Sequence, residues 1–203
     1  MKNILIVGAS RGIGLALAKH LHQSHNLITA SRTSSDELEA LGTQHLSIDA
    51  SDENAAWDGQ LPEVLHGLVY CPGTINLKPI NRLSRKDFID DFTTNVLGAV
   101  HVIQRALPAL KAAKGSSIVL YSTVAVKAGM GFHSSVAASK AAIEGLGRSL
   151  AAELAPYAVR VNVIAPSLTD TSLASALLST PEKREAAAKR HPLQQVGDPA
   201  DVA

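Results

Sequence analysis

The chain is constrained most by one stretch near its start, Gly8-Ala9-Ser10-Arg11-Gly12-Ile13-Gly14. The stretch follows the β-branched apolar run 4–7 and precedes leucines and alanines at helical spacing, so we expect it to join a buried strand to a helix. Glycines allow a tight turn and let a ligand approach the backbone closely. The free N–H groups and the dipole of the helix then favour a phosphate group. A strand-to-helix turn that binds nothing is the alternative.

The size and charge of the chain argue against several classes of function. Its 203 residues suit one domain, spanning 1–203, and the net charge is +1 with no stripe of lysine or arginine. We therefore expect neither nucleic acid nor an anionic membrane as a partner. The only cysteine, Cys71, argues against a disulfide framework, and no apolar run is long enough to span a membrane. These features predict a cytoplasmic protein.

Strand-like and helix-like stretches alternate along the chain. The predicted strands are 4–7, 27–30, 46–48, 67–71, 117–121 and 159–164, and the predicted helices are 12–24, 35–42, 52–59, 84–112 and 135–155. Strict alternation predicts an α/β fold of the Rossmann type, a doubly wound parallel sheet with helices on both faces. A ligand is then expected at the carboxyl ends of the strands, where the strand order reverses.

The residues after the second and third predicted strands bear on the kind of ligand. Dinucleotide folds place the residue that reads the ribose 2′ position about 20 residues beyond the glycines. Ser31 and Arg32 stand there, and Arg11 adds a second cation, so the sequence predicts NADPH rather than NADH. Two solvated arginines are the alternative. Asp49, at the end of the third strand, is predicted either to accept from an adenine amino group or to cap the next helix.

The long predicted helix 84–112 contains two residues that disfavour helices. It begins with Ser84 and Asp87 at the spacing of a capping box. Asn95 and Gly98 each cost about 0.5–1 kcal/mol in a helix interior relative to alanine. Such a pair indicates either close helix packing or a functional side chain.

In this order, the features resemble the short-chain dehydrogenase/reductase family over the whole chain. Gly8-x-x-x-Gly12-x-Gly14 matches the family's cofactor loop, Asn95-x-x-Gly98 its helix asparagine, and Ser139-Lys140-Ala141 the end of its Tyr-x-x-x-Lys element. Asn162–Pro166 resembles the strand and turn that close over the nicotinamide. The resemblance implies hydride transfer between NAD(P)(H) and a small carbonyl or alcohol.

The resemblance also implies roles for single residues. The family's lysine holds the nicotinamide ribose, its asparagine anchors a proton-relay water, and a hydroxyl polarises the substrate oxygen; these positions fall on Lys140, Asn95 and Thr123. With the residues already named, the predicted cofactor contacts are Gly8, Ser10, Arg11, Gly12, Ile13, Gly14, Ser31, Arg32, Asp49, Gly73, Asn95, Lys140, Pro166, Thr169 and Thr171.

The family's catalytic tyrosine position falls on Val136, which has no proton to give. Val136 and Lys140 are four residues apart and share a helix face. We therefore predict an NADP(H)-preferring oxidoreductase with an atypical proton donor, either Lys140 acting with water or His133. Because Ser134 or Ser135 is predicted to cap the helix, His133 is expected on the loop before it. The alternative function is a catalytically silent NADP(H)-binding protein, a sensor or an assembly partner.

Three further predictions concern partners, metals and the C-terminus. Helices 84–112 and 135–155 are apolar on more than one stripe, which together with the resemblance predicts a homodimer or homotetramer. His22 and His25 lie at a helix end without carboxylates or cysteines beside them, so no metal site is predicted. The resemblance implies another helix and a last strand after Asp198-Pro199, so the chain is expected to be short there and to leave the strand 159–164 as an exposed edge.

Overall fold

The computed structural model describes every residue from Met1 to Ala203 and shows one parallel sheet. Its strands are β1 (Asn3–Val7), β2 (Asn26–Ser31), β3 (Gln44–Ser47), β4 (Gly67–Tyr70), β5 (Ser116–Tyr121) and β6 (Val159–Ile164). They lie in the order β3-β2-β1-β4-β5-β6, and all neighbouring pairs are parallel. This order confirms the predicted Rossmann-type α/β fold.

The strand order reverses between β1 and β4. Val7, the last residue of β1, pairs with Ala30 of β2 on one side and with Tyr70 of β4 on the other. Loops that leave two such strands run to opposite faces of the sheet and open a crevice at its carboxyl edge. The glycine loop after β1 and the loop 71–73 after β4 both start at this crevice.

Helices cover both faces of the sheet. They are α1 (Gly12–Leu21), α2 (Asp36–Glu39), α3 (Arg85–Phe92), α4 (Gly98–Ala112), α5 (Ala125–Ala128), α6 (Ser134–Leu154), α7 (Pro181–Ala188) and α8 (Pro199–Val202), with a π-helical turn at Thr93–Leu97 between α3 and α4. Because successive strand residues point to opposite faces, Leu5 joins the larger core with Val102 of α4 and Ile143 of α6. Ile6 joins the smaller core with Leu17 of α1.

The predicted helix 52–59 does not form, and that prediction was wrong. Asp52 accepts from the backbone N–H of Asn54 at 2.9 Å, and Gly59 has a φ of +72°, two features of turns rather than helices. Trp57 is only 2% exposed and anchors the segment in the larger core. The burial of one aromatic side chain thus shapes a segment with weak helical preference of its own.

The predicted helix 84–112 is interrupted by the π-helical turn. The capping box of Ser84 and Asp87 is present with both of its reciprocal hydrogen bonds, as predicted. The Tyr70 hydroxyl donates to the carbonyl oxygen of Thr94 inside the turn at 2.7 Å. A Cβ at Gly98 would overlap that hydroxyl, so this glycine is explained by the close approach of Tyr70.

Two predictions concern the last strand of the sheet, β6, and the first residues of α6. β6 pairs only with β5, and Arg160, Asn162 and Ile164 along it are exposed, so β6 is an edge strand of this sheet. Helix α6 begins at Ser134, and the residue before it, His133, occupies the N-cap position. The prediction that a serine caps this helix was therefore wrong.

None of the helices is long and apolar enough to cross a membrane.

Candidate active site

The glycine loop needs its glycines for three different geometric reasons. Gly8 has a φ of +80° and Gly12 a φ of +58°, in the left-handed region that strains other residues. Gly14 has an ordinary φ, but a Cβ there would overlap the carbonyl oxygen of Gly8. A Cβ on Gly12 would also lie 3.2 Å from the Cγ2 of Thr171, which places Thr171 against the loop, whereas its contact with a cofactor stays a prediction.

The start of α1 has the properties of an anion site. Arg11 is the N-cap residue and makes no side-chain capping bond, and the first turn contains no acidic residue. The first N–H groups of a helix have no intrahelical partner. Ser10 lies beside them, half-buried, and Ile13 packs against the smaller core. These residues fit a pyrophosphate group, because uncapped donors and the positive end of the dipole face the crevice.

The loop after β2 is held by hydrogen bonds that leave Arg32 in solvent. Ser31 is buried and donates to the carbonyl oxygen of Thr33 at 2.8 Å, and Ser47 of β3 donates to the carbonyl oxygen of Arg32 at 3.2 Å. The Arg32 side chain is exposed, as is that of Arg11. Both guanidinium groups are therefore available to a ligand at this edge.

The Asp49 side chain accepts hydrogen bonds within a turn and does not cap a helix. Its Oδ1 accepts from the N–H of Ser51 at 2.9 Å and from the Ser51 hydroxyl at 2.6 Å, and no helix follows. The Ser51 hydroxyl holds the pKa of the Asp49 carboxyl below its ordinary value, with a smaller contribution from the charge of Arg32. The predicted helix cap was wrong, and the adenine contact stays a prediction.

Lys140 occupies the centre of the site, on the inner face of α6. Its side chain is 7% exposed, and its Nζ donates to the carbonyl oxygen of Tyr121, the last residue of β5, at 2.9 Å. Burial lowers the pKa of Lys140 to about 8, against the opposing effects of Cys71 and Asp91. Such a lysine titrates close to neutral pH and can exchange a proton there.

Asn95 faces Lys140 from the π-helical turn. Its Nδ2 donates to Ser139 Oγ of α6 at 2.8 Å and to Thr74 Oγ1 at 3.1 Å, whereas its Oδ1 is buried without a partner. A Cβ at Gly73 would lie 3.3 Å from Lys140 Nζ and 3.5 Å from Asn95 Oδ1. The absence of a side chain at Gly73 therefore lets the loop after β4 pass close to both side chains, and Asn95 Oδ1 is a buried acceptor that lacks a donor in this structure.

Two hydroxyl groups, those of Ser122 and Thr123, follow β5 and differ in their hydrogen bonds. Ser122 is buried and donates to Glu144 Oε1 at 3.0 Å, so it is engaged in fixing α6. Thr123 is half-buried, and its Oγ1 accepts from the N–H of Ala125 at 3.3 Å, which leaves its own proton to donate. Thr123 is thus the hydroxyl of this pair whose own proton is not donated within the chain.

Val136 and His133, which the sequence singled out in connection with proton transfer, lie at the start of α6 and just before it. Val136 is 6% exposed and lies one turn before Lys140 on the same face. The half-buried His133 donates from Nδ1 to the carbonyl oxygen of Gly131 at 2.7 Å. The hydrogen bonds of His133 keep its ring on the loop before the helix, and none joins it to Lys140 or Asn95.

The segment after β6 folds back over the crevice. The carbonyl oxygen of Pro166 accepts from the N–H of Val124 at 3.1 Å, which joins this segment to the loop that carries Thr123. Thr169 is buried, donates to the carbonyl oxygen of Ser167 at 3.1 Å and forms a bridge with Gly197. Its hydroxyl thus holds the segment together, and of the two predicted threonines only Thr171 lies against the glycine loop.

His22 and His25, which follow α1, make hydrogen bonds with neighbouring residues of the chain. His22 donates to the carbonyl oxygen of Lys19 at 2.8 Å, and His25 pairs with Ser24 at 2.7 Å. No group of three or more histidine, cysteine or acidic side chains in the structure could hold a metal ion.

Sequence reasoning missed one buried acid beside the site. Asp91 of α3 is 2% exposed, and Ser135 of α6 donates a hydrogen bond to it. The available signal was spacing, because Asp91 precedes Asn95 by four residues just as Ser135 precedes Ser139. Two equal spacings on two helices are the pattern of side chains that pair across them.

Comparisons with known proteins agree with this geometry. Residues 8–203 match the family described as enoyl-(acyl carrier protein) reductase. MabA of Mycobacterium bovis, described as a 3-oxoacyl-(acyl-carrier-protein) reductase, is 30% identical over 207 residues, 100% of this chain and 82% of that protein. A tropinone reductase homolog of Arabidopsis thaliana is 31% identical over 220 residues, 99% of this chain and 82% of the homolog. A crystal structure of a short chain dehydrogenase family protein from Francisella tularensis gives a TM-score of 0.90 over 100% of this chain and 88% of that one, at 24% identity.

Proposed function

We propose that the chain, which belongs to the short-chain dehydrogenase/reductase family, binds NADP(H) and acts on a small carbonyl or alcohol. The observation that carries the proposal is the buried pair of Lys140 and Asn95, which both lie next to Gly73, with Asn95 Oδ1 lacking any hydrogen-bond partner. A buried lysine and an unpartnered amide oxygen are costly for folding, so a functional role is favoured over a structural one.

The residues around the crevice fit the cofactor. Under this proposal the glycine loop with Ser10 and Ile13 holds the pyrophosphate, and Lys140 holds the nicotinamide ribose. Pro166, Thr169 and Thr171 line the nicotinamide end, Thr171 being the one that lies against the loop. When bound, the nicotinamide supplies or accepts a hydride.

Arg11 and Arg32 support NADP(H) over NAD(H). Both side chains are exposed at the edge where the glycine loop and the loop after β2 meet. Arginine matches the geometry of a phosphate with several donors, whereas a carboxylate in the same place would repel it.

Lys140 is the proposed source of the proton that the substrate oxygen takes up on reduction. Val136 offers only methyl groups. A lysine whose pKa burial lowers to about 8 gives up a proton near neutral pH far more readily than an ordinary lysine. Lys140 Nζ and Asn95 Oδ1 both lie next to Gly73, so the proposed proton donor lies beside the amide oxygen that has no hydrogen-bond partner. Thr123 donates to the substrate oxygen under this proposal.

The test begins with binding and continues with turnover. NADPH fluorescence is titrated with the purified chain, and NADH is titrated in parallel. We expect NADPH to bind at least about tenfold more tightly, a difference of about 1.4 kcal/mol. NADPH absorbance is then followed with a panel of carbonyl compounds. Absence of binding contradicts the cofactor proposal, whereas binding without turnover on any compound contradicts only the catalytic one.

One observation favours a second function, a catalytically silent NADP(H)-binding protein that acts as a sensor or assembly partner. The missing hydroxyl at Val136 removes the group that contributes about 10²–10⁴ in rate in general acid catalysis. The two functions share the cofactor site and differ only in whether Lys140 can replace that group. Turnover therefore separates them, and binding does not.

We also propose that two copies of the chain associate through α3 and α6. A groove of about 360 Å³ runs between these helices. Phe88, Ile89, Phe92 and Leu97 line it, and all four are exposed. Light scattering at micromolar concentration is expected to give the mass of a dimer or tetramer, and a monomer mass contradicts this proposal.

A further inference from the structure

Asp91 is a buried charge that the proposed reaction does not use. It lies on α3 and is 2% exposed, yet it takes part in no salt bridge. Its hydrogen-bond donor is the hydroxyl of Ser135. A carboxylate out of water is costly unless another charge compensates it, so its retention needs a reason.

Asp91 belongs to a pair of parallel contacts that join α6 to the helix opposite. Ser135 donates to Asp91, and four residues later in both helices Asn95 donates to Ser139. Residues four apart lie on one helix face, so both contacts occupy the same seam. Ser139 immediately precedes Lys140, and Ser135 immediately precedes the position where the family has its tyrosine. The seam therefore fixes the part of α6 that carries the site.

Lys140 is the complementary unpaired charge. It is buried, forms no salt bridge, and its hydrogen-bond partner is the neutral carbonyl of Tyr121. Of the other charges on elements that pack against α6, Lys127 of α5 is paired with Glu144, and Arg160 of β6 is exposed.

The remaining charges on α3 point elsewhere. Asp87 is paired with Lys78 and Asp90 with Lys86, while Arg85 is exposed.

Cys71 is the other titratable group near Lys140. Burial raises the pKa of the Cys71 thiol to about 12, so at neutral pH the thiol keeps its proton and has no charge. Of the two side chains whose charge acts on Lys140, Asp91 is therefore the one that carries a carboxyl group.

We propose that Asp91 is a positioning residue for the site, the counter-charge that keeps Lys140 cationic while the Asp91–Ser135 contact fixes α6 in register with Asn95. In a medium of low dielectric, an anion favours a nearby cation even without direct contact. The inference rests on the proposed function only where NADPH is the probe.

The first experiment observes Lys140 directly and needs no cofactor. The chain is labelled with ¹³C at lysine Cε, and the Lys140 signal is identified by its loss in Lys140→Arg. We expect Asp91→Asn to lower the midpoint of the Lys140 titration by about half a pH unit or more. Asp90→Asn is the matched control, because Asp90 is the residue next to Asp91 but is exposed and forms a salt bridge with the exposed Lys86.

The outcomes of this titration are distinct. An unchanged midpoint in Asp91→Asn overturns the proposal, and so does an equal shift in Asp90→Asn, which would show a general effect of net charge. A role limited to packing would lower thermal stability without moving the midpoint. Asp91→Ser, smaller and also uncharged, is a second neutral variant with the same expected shift should the asparagine variant not fold.

The second experiment uses NADPH affinity across pH. If the Lys140 ammonium holds the ribose, the Kd weakens as Lys140 loses its proton, and Asp91→Asn moves that weakening to lower pH. Failure of the unaltered chain to bind NADPH at any pH contradicts the proposed function and leaves the lysine titration to decide on Asp91. Binding with the same pH profile in both proteins contradicts the role of Asp91 alone.

Discussion

The two ends of the crevice are built differently. At the glycine loop, backbone conformation determines the site, because Gly8, Gly12 and Gly14 are required by dihedral angles and close approaches. At α6, side chains determine the site, because Lys140 and Asn95 depend on their own burial and hydrogen bonds. A backbone site tolerates few changes, whereas a side-chain site can lose one group and keep its frame. Under the proposed function, the glycine loop is the binding end of the crevice and α6 is its chemical end, and the comparison explains how α6 keeps its frame with a valine at position 136.

The largest expected effect comes from restoring a hydroxyl at the chemical end. Val136→Tyr should raise the rate of carbonyl reduction by about 10²–10⁴, equal to about 3–5.5 kcal/mol of barrier. The measurement is kcat with NADPH and the best compound of the carbonyl panel. Val136→Phe is the matched control, because it adds the same ring without the hydroxyl. If both variants are equally slow, the residues of α6 do not form a catalytic site, and the proposed contrast between the two ends of the crevice is wrong.

The next effect is the dependence of stability on the charge of Lys140. The pKa of Lys140 is about 8 in the folded state against 10.5 for an ordinary lysine. Between these two pKa values, unfolding takes up a proton at Lys140. The free energy of unfolding therefore rises with pH across this window by about 3 kcal/mol, and this gain in stability is lost as the pH falls to 8. Denaturant unfolding of the chain and of Lys140→Met, at several pH values, measures it.

The difference between those two proteins isolates the lysine. Burial raises the pKa of the Cys71 thiol, so its own contribution falls as pH rises above the ordinary thiol value, with the opposite sign. Cys71 is present in both proteins and largely cancels. Lys140→Met should be the more stable protein at neutral pH, and equal pH slopes would show that Lys140 is not buried as a charge.

The binding end is tested by a single methyl group. Gly14→Ala places a Cβ against the carbonyl oxygen of Gly8, and we expect a loss of about 1–3 kcal/mol in stability together with loss of NADPH binding. Gly145→Ala is the matched control, because it lies in α6 with open space around it and should be neutral or stabilising. Unaltered NADPH affinity in Gly14→Ala would show that backbone geometry does not determine this end.

The smallest effect concerns the choice between the two cofactors. Arg32→Glu should weaken NADPH and improve NADH, with a combined change in preference of about tenfold or more, equal to about 1.4 kcal/mol. The ratio of the two Kd values measures it, at two salt concentrations because Arg32 is exposed. Thr33→Glu, on the adjacent exposed residue, controls for a general effect of the added negative charge.

Features that depend on neighbouring residues could be predicted from the sequence. The strands, the glycine loop and the Ser84 cap follow from local pattern, and all form as expected. The turn at 52–59 could not be predicted, because the burial of Trp57 in a distant core decides it.

The candidate site shows the same division. The positions of Asn95 and Lys140 follow from motif spacing, but their close approach beside Gly73 arises where three separate elements meet. The contact of Asp91 with Ser135 spans 44 residues of chain, so no local window contains both partners. Tertiary approach decides such features, and the equal spacing of Asp91 and Asn95 and of Ser135 and Ser139 indicates which residues can pair only once the two helices are known to be neighbours.

The π-helical turn has a consequence for how this protein tolerates changes in length. A turn that contains one extra residue rotates everything after it by about 100° around the helix axis. Here it lets α3 face α6 through Asp91 while α4 faces the sheet through Val102. Deleting one residue from 93–97 would leave the composition almost unchanged and misalign one half of the long helix against its neighbour. The Tyr70 hydroxyl donates to the carbonyl oxygen of Thr94 in that turn, and this hydrogen bond stabilises the rotated orientation of α4 relative to α3.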